Sequence, residues 1–313
     1  MGQSIGTLFP LRFRLWLGRK LYRPFNSSVV RVSRHRVIKG PCDPPEVEAM
    51  QYIAEHTTIP VPKVYKVHTT SDHRIYIEME YVEGVTLDSA WRKEGRLTPE
   101  QKKTIFEDIK DYVSVLRALP PPADDLVASA LQNPAYDCRI GSRFLGPFTH
   151  ADFHSLLRQR MPLEYVESCL GDEVAKVHTT ASYRTCFTHG DLVPRNIIVR
   201  DGRVAALIDW GFAGWYPEYW EFTKAHYDYF PGEDWWEHLR EALPCYDAEL
   251  AAERILWQMV ADPGTPTTYS REGVVRKTPG SKPSETWLEA RAGRQLKDLW
   301  SVALLSPRHS SGS

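Results

Sequence analysis

The chain alternates between short β-type runs and longer helical periodicities, and the balance shifts from the first to the second near residue 82. Val29 to Val32 and His35 to Lys39 are β-rich and flank a short turn. Asp43-Pro44-Pro45-Glu46 then announces a helix, with Asp43 able to cap it, Pro44 suited to its first turn and Glu46 three residues after the cap. Val47, Met50 and Ala54, joined by Ile53, form its apolar stripe. The helix should stop before Ile59-Pro60-Val61-Pro62, because a residue preceding proline is pushed out of the α region. Two further strands are expected near Val64 to His68 and Arg74 to Tyr81, with a hinge at Glu83-Gly84.

Beyond the hinge helices dominate. Thr98-Pro99-Glu100-Gln101 starts one that runs to about Leu119, before the break at Pro120 to Pro122, and Thr149-His150-Ala151-Asp152 starts another. From Pro263 to about Ser284 the chain reads as a linker, and Trp287 to Leu305 as a last amphipathic helix. No internal repeat is present. The expected fold is α+β, with a basic amphipathic segment at 1–25, a small β-rich lobe with one helix at 26–82, a larger mainly helical lobe at 83–262, and a linker and tail at 263–313.

Composition narrows the class. With 42% hydrophobic and 25% charged residues in 313, the chain can build a globular core of ordinary type. A net charge of -1 gives no global field to recruit nucleic acid or membrane. The five scattered cysteines lack metal-ligand spacing and suit a reducing, cytoplasmic compartment. No run of about 18 apolar residues suggests a transmembrane helix. Ile5 to Phe25 is apolar but interrupted by Arg12, Arg14, Arg19, Lys20 and Arg23, unlike a secretory signal, and Gly6 stands where myristoylation of Gly2 wants Ser or Thr. A helix packed against its own domain is the expectation here, and a basic helix lying on a membrane surface is the alternative.

The stretch from Phe187 to Trp210 carries the chemistry. Ile197 to Val199 and Val204 to Ile208 are strand-like, and Asp201-Gly202 between them is a strong hairpin turn. Folding that hairpin brings Asn196 close to Asp209, with Asp191 five residues earlier on the approaching loop. Two carboxylates and an amide oxygen at one end of a rigid ribbon are hard ligands suited to Mg²⁺ that also takes oxygens from nucleotide phosphates. In kinase-type phosphoryl transfer the Asp of D-x-x-x-x-N accepts the substrate hydroxyl proton, and the Asn and a later Asp hold the metals. On that pattern Asp191, Asn196 and Asp209 are the catalytic candidates, and Asn196 and Asp209 the metal ligands.

His189-Gly190-Asp191-Leu192 through Asn196, followed by Ile208-Asp209-Trp210, resembles the signature of the aminoglycoside phosphotransferase family, close to choline kinases. Gly211 through Glu221, Ile59 through Val64, and Gly146-Pro147-Phe148 resemble its fungal branch. The resemblance spans roughly residues 25 to 260. It implies a bilobal protein-kinase-like fold with ATP and Mg²⁺ in the cleft and a small-molecule hydroxyl as acceptor. It also implies that Lys39 holds the α- and β-phosphates. Val37, two residues earlier on the same strand face, would roof the adenine, and the backbone of Glu80 and Val82 would bond its edge. Lys39 needs an anionic partner on the following helix. Glu46 and Glu48 compete, and the expectation falls on Glu48, since Glu46 is already explained by capping and Glu48 lies twelve residues before Pro60 as in the family.

The chain departs from kinase patterns in two places. No G-x-G-x-x-G precedes Lys39, leaving Asn26-Ser27-Ser28 to cover the phosphates, and Val193 stands where Ser/Thr kinases carry a lysine, a charge Arg195 could supply. Three other groupings stand out in the chain. His150, Asp152 and His154 resemble a metal cluster, but Asp152 is off the face that the two histidines share. Trp215, Trp220, Trp235 and Trp236 suit a pocket or, more often, a core. Glu218, Glu221, Asp228, Glu233 and Asp234 would suit an amine-bearing acceptor or a solvated face. A catalytically weak kinase-like binding module and a protein kinase are the alternative functions.

Overall fold

The computed structural model describes residues 10–22, 25, 28–93, 96–140, 144–180, 183–227, 233–260, 267–269 and 275–277. After helix α1 (Leu11–Leu21) come strands β1 (Val29–Ser33) and β2 (Arg36–Cys42), helix α2 (Pro44–His56), and strands β3 (Val64–Thr69) and β4 (Ile75–Glu80). The four strands form one antiparallel sheet in the order β1-β2-β4-β3. The runs and the helix read from the sequence are thus all present. One face of the sheet carries Val37, Lys39, Ile77 and Met79 toward α2. The other carries Ile38 and Glu78 toward α1, where Arg14 grips both Glu78 carboxylate oxygens at 2.8 and 2.7 Å.

The crossing into the helical lobe is short. Strand β5 (Val85–Thr86) follows Gly84 directly and pairs with strand β10 (Ile197–Arg200), which forms a hairpin with β11 (Arg203–Leu207). Gly84 has φ +147°, and a Cβ there would lie 2.6 Å from the Val199 carbonyl oxygen, so the close approach of hinge to hairpin requires glycine. The hairpin turns at Asp201-Gly202, both with positive φ, the conformation that the sequence demanded.

Between β5 and β10 lie helices α3 (Leu87–Arg92) and α4 (Pro99–Ala118), strands β6 (Ala128–Ser129), β7 (Ala135–Tyr136) and β8 (Phe144–Leu145), helices α5 (His150–Leu157), α6 (Leu163–Leu170) and α7 (Asp172–Thr179), and strand β9 (Thr185–Thr188). Strand β12 (Gly214–Pro217) and helices α8 (Trp220–Ala225), α9 (Glu233–Ala242) and α10 (Asp247–Met259) follow the hairpin. Helix α4 starts where predicted because Thr98 and Gln101 cap each other's backbone amides, a contribution of about 1 kcal/mol. Strand β12 lies between β6 and β9.

The main core runs continuously from Val37, Ile77 and Met79 of the sheet through Met50 and Ile53 of α2 to Leu192, Leu207 and Trp210 beside the hairpin. Burying each such side chain is worth roughly 1.5–3 kcal/mol. Tyr52 of α2 stacks on Phe187 of β9 at 5.5 Å, which ties the helix of the small lobe to the strand that delivers the chemistry. A second core gathers α5, α6, α7 and α10 around Phe153 and Trp220. Within 263–284, read from the sequence as a linker, Thr267–Tyr269 and Val275–Lys277 pair as an antiparallel ribbon. The helix expected over Trp287 to Leu305 lies outside the described residues.

Candidate active site

Strand β9 runs into the loop His189-Gly190-Asp191, which is held from three sides. The backbone amides of His189 and Gly190 both donate to the buried carboxylate of Glu221 on α8, at 2.6 and 3.2 Å. Gly190 has φ +75°, and a Cβ there would lie 2.6 Å from the Phe212 carbonyl oxygen. The His189 ring accepts at Nδ1 from the Asp191 amide and so presents its Nε2 proton to the Ile208 carbonyl, each at 3.2 Å. Burial lowers the His189 pKa to about 4, so the ring is neutral and acts as a fixed bridge between the loop and the strand end before Asp209.

Asp191 sits at the loop's tip with little exposure. The Arg195 guanidinium reaches both its carboxylate oxygens, at 3.1 and 3.2 Å, and Asn196 Nδ2 donates to its Oδ2 at 2.6 Å and its backbone oxygen at 3.0 Å. Burial raises the Asp191 pKa, and the charges of Arg195 and Lys224 pull it back. Because the Asn196 amide nitrogen is spent on Asp191, its oxygen remains for another partner. The Ile208 amide donates to the Asn196 carbonyl at 2.9 Å, closing the hairpin base and bringing Asn196 beside the strand end that carries Asp209. Asp209 itself has left-handed backbone, φ +66°, and a half-exposed side chain. An amide oxygen and a carboxylate converging at one hairpin base are the hard donor set that Mg²⁺ takes.

Lys39 of β2 reaches across from the small lobe. Its ammonium lies 2.6 Å from Asp209 Oδ1 and 2.5 Å from Glu46 Oε1. Burial alone would lower its pKa, but Glu46 and Asp209 outweigh that and hold it above the ordinary range, so it is charged. The partner of Lys39 is therefore Glu46 and not Glu48. Helix α2 begins at Pro44, which leaves Glu46 in the first turn facing the sheet, while Glu48 lies some 200° further round. Glu48 instead accepts from Ser129 Oγ at 2.6 Å and Asn133 Nδ2 at 2.9 Å in the helical lobe. The capping argument that set Glu46 aside fails too, because the Asp43 side chain makes no cap bond and the Glu46 carboxylate is committed to Lys39. Val37 is buried two residues before Lys39, and the Glu80 amide donates to the Lys63 carbonyl at 2.9 Å.

The family model of the phosphotransferase enzyme family matches residues 26–255. The chain belongs to this phosphotransferase family. No curated protein sequence matches it. Among solved structures, the GDP and kanamycin complex of APH(2")-IIia is 13% identical over 93% of this chain and 98% of that one, with a TM-score of 0.52. The streptomycin-ATP-APH(2")-IIa ternary complex is 14% identical over 81% and 88%, with a TM-score of 0.51. At these identities the likeness shows the fold, which is that of a protein-kinase-like phosphotransferase.

Within this phosphotransferase the other groupings read from the sequence resolve as structure. His150 Nε2 meets Thr185 Oγ1 at 3.1 Å and His154 Nε2 meets Tyr219 Oη at 2.8 Å, with burial lowering both pKa values. Trp215, Trp220 and Trp235 are core residues. Glu218 is bonded by Arg117, Arg184 and Tyr246, and Asp234 by Lys102 and Trp91. Glu221 is buried on the loop amides, whereas Asp234, engaged by Lys102 and Trp91, keeps a nearly half-exposed side chain. Asp228 lies outside the described residues, as do Asn26 and Ser27. Sequence reasoning missed the role of Glu221 and the buried pair of Lys224 with Asp137 at 2.7 Å. The available signal was a charged residue flanked by Trp220 and Phe222, since carboxylates placed among aromatics are buried only with specific partners.

Proposed function

We propose that the chain transfers the γ-phosphoryl group of ATP to a hydroxyl of a small molecule. The observation that carries this reading is the contact of Lys39 with Asp209 across the two lobes, with Glu46 behind the lysine and Asp191 on the adjoining loop. Lys39 would hold the α- and β-phosphates, Val37 would roof the adenine, and the Glu80 carbonyl and Val82 amide would bond its edge. The Asn196 oxygen and the Asp209 carboxylate would hold Mg²⁺, which when bound neutralises charge on the phosphates. Asp191, ionised and aimed by Arg195 and Asn196, would take the proton from the acceptor hydroxyl as its oxygen forms the bond to phosphorus and ADP leaves. Asp191 would keep the proton until solvent removes it.

The division into a nucleotide-binding lobe over 26–82 and a catalytic and acceptor-binding lobe over 83–262 belongs to the same reading, as does a reducing, cytoplasmic setting, which suits five free cysteines. The complete set of Lys39, Asp191, Asn196 and Asp209 favours catalysis over a kinase-like binding module. Family membership supports a small-molecule hydroxyl as acceptor, and a substrate screen would identify it. Purified chain with Mg²⁺-ATP, screened against a panel of hydroxyl-bearing metabolites for ADP release, should respond to a small subset. ADP release that no member of a broad panel stimulates, together with tight nucleotide binding, would favour the binding module.

A further inference from the structure

The active site uses nothing of α1, yet α1 has a distinctive outer face. Its inner face is fixed: Arg14 is paired with Glu78, and Gly18 packs so closely that a Cβ would lie 2.4 Å from the Arg31 carbonyl oxygen. At 100° per residue the opposite arc carries Arg12, Phe13, Trp16, Arg19 and Lys20. Trp16 lies at the centre of that arc, 55% exposed, with Phe13 5.7 Å away on one side and the three cations around them.

Charge is distributed with equal asymmetry. Residues 1–42 hold nine Lys and Arg and no Asp or Glu, in a chain whose net charge is -1. Beside the start of α1 opens a cavity of about 540 Å³ lined by Arg12, Lys66, His68 and the hydroxyl residues Thr69, Thr70 and Ser71. The nearby carboxylate of Asp72 is taken by Arg74 at 2.9 Å and Thr70 at 2.5 Å. A tryptophan at the middle of a cationic arc, next to a cationic hydroxyl-rich cavity, matches the chemistry of a bilayer surface. There an indole sits at headgroup level and basic residues meet anionic lipid.

We infer that the exposed arc of α1 docks the protein on an anionic lipid surface, with Trp16 inserted among the headgroups and Arg12, Arg19 and Lys20 on lipid phosphates and carboxylates. Because α1 covers the face of the sheet opposite Lys39, docking leaves the nucleotide cleft open to solvent. Acceptors held at the membrane would then meet the site at raised local concentration.

The test is vesicle flotation of the full chain with phosphatidylcholine alone and with phosphatidylcholine containing phosphatidylserine. The chain should float only with the anionic vesicles, and less as salt rises. At about 1 kcal/mol per basic residue, the triple variant R12E/R19E/K20E should lose on the order of 100-fold in partitioning, and Trp16→Ser roughly tenfold. Both should keep their melting temperature and nucleotide affinity, since neither touches the core or the site. No partition at millimolar lipid would overturn the inference, as would partition that neither variant changes. Self-association, or binding to RNA or an acidic peptide, that depends on Trp16 without any lipid binding would assign the face to another occupant and equally overturn it.

Discussion

Replacing Glu46 by Gln removes one of the two charges that hold Lys39. The pair is nearly shielded, with Lys39 15% and Glu46 6% exposed at the side chain, and their atoms lie 2.5 Å apart. A hydrogen bond between charged groups contributes about 1.5–3 kcal/mol. Without it Lys39 keeps only Asp209, 2.6 Å away, and is drawn toward the carboxylate proposed to hold the metal. If the whole of that energy serves to place Lys39 over the phosphates, kcat/KM falls roughly tenfold to 150-fold. The melting temperature should move only a few degrees, because the amide still fills the same space. Glu48→Gln is the control: it weakens the ties to Ser129 and Asn133, costs about 1 kcal/mol of stability, and leaves kcat within roughly threefold. A Lys39→Met, Glu46→Gln double variant should be little worse than Lys39→Met, since the two residues act as one unit. Steady-state ADP release on an identified acceptor, paired with thermal melts, reads all four. A catalytic loss in Glu48→Gln with full activity in Glu46→Gln would refute the reasoning.

Asp191→Asn should lower kcat by roughly 100- to 10,000-fold with Mg²⁺-ATP affinity within a few-fold, and a variant keeping half of wild-type turnover would remove the base from Asp191. The pH profile follows from burial: the Asp191 pKa is raised, the base works ionised, and activity should fall as pH drops through that raised value. Arg195→Met removes a charge that pulls the pKa down, so the acid limb should move to higher pH; an unmoved or lowered limb would contradict the pairing seen here. Glu221→Ala strands two buried loop amides at a cost of about 1–3 kcal/mol each, so it should lower kcat and stability together. Calorimetry should show Asp209→Asn and Asn196→Ala weakening Mg²⁺-ATP more than metal-free ATP, and equal weakening of both would argue against shared metal ligation.

The parts of the site legible in the sequence were those whose geometry is local. Asp201-Gly202 fixes a tight hairpin, and a tight hairpin brings Asn196 beside the strand end at Asp209 whatever surrounds it. Lys39 was placed by the family resemblance, and the strand's period of two then put Val37 on the same face. Glu46 was misassigned because two residues on a helix differ by about 200° in direction, so an error of half a turn in where α2 meets β2 exchanges the lysine's partner for the lobe tie. The irregular pairing of β2 with β4 between Lys39 and Cys42 sets that entry, and nothing in the local pattern reports it. Glu221 and Lys224 were illegible for a different reason. They act across some 30 and 87 residues of chain respectively, on His189 and Asp137, and only tertiary packing brings these together. The exposed arc of α1 was readable as a helix with scattered arginines, but which of them face the sheet became clear only with the Arg14–Glu78 pair in place.

If this constellation moves a phosphoryl group to a hydroxyl acceptor, both products carry phosphorus that can be followed. Phosphorus-31 NMR of the full chain with Mg²⁺-ATP and an acceptor from the metabolite panel tests this transfer most directly. The γ-phosphate resonance should decay in step with growth of a phosphomonoester signal and of ADP, and Asp191→Asn should show neither on the same time scale. Decay of the γ-phosphate into inorganic phosphate alone, or phosphomonoester formation undiminished in Asp191→Asn, would contradict it.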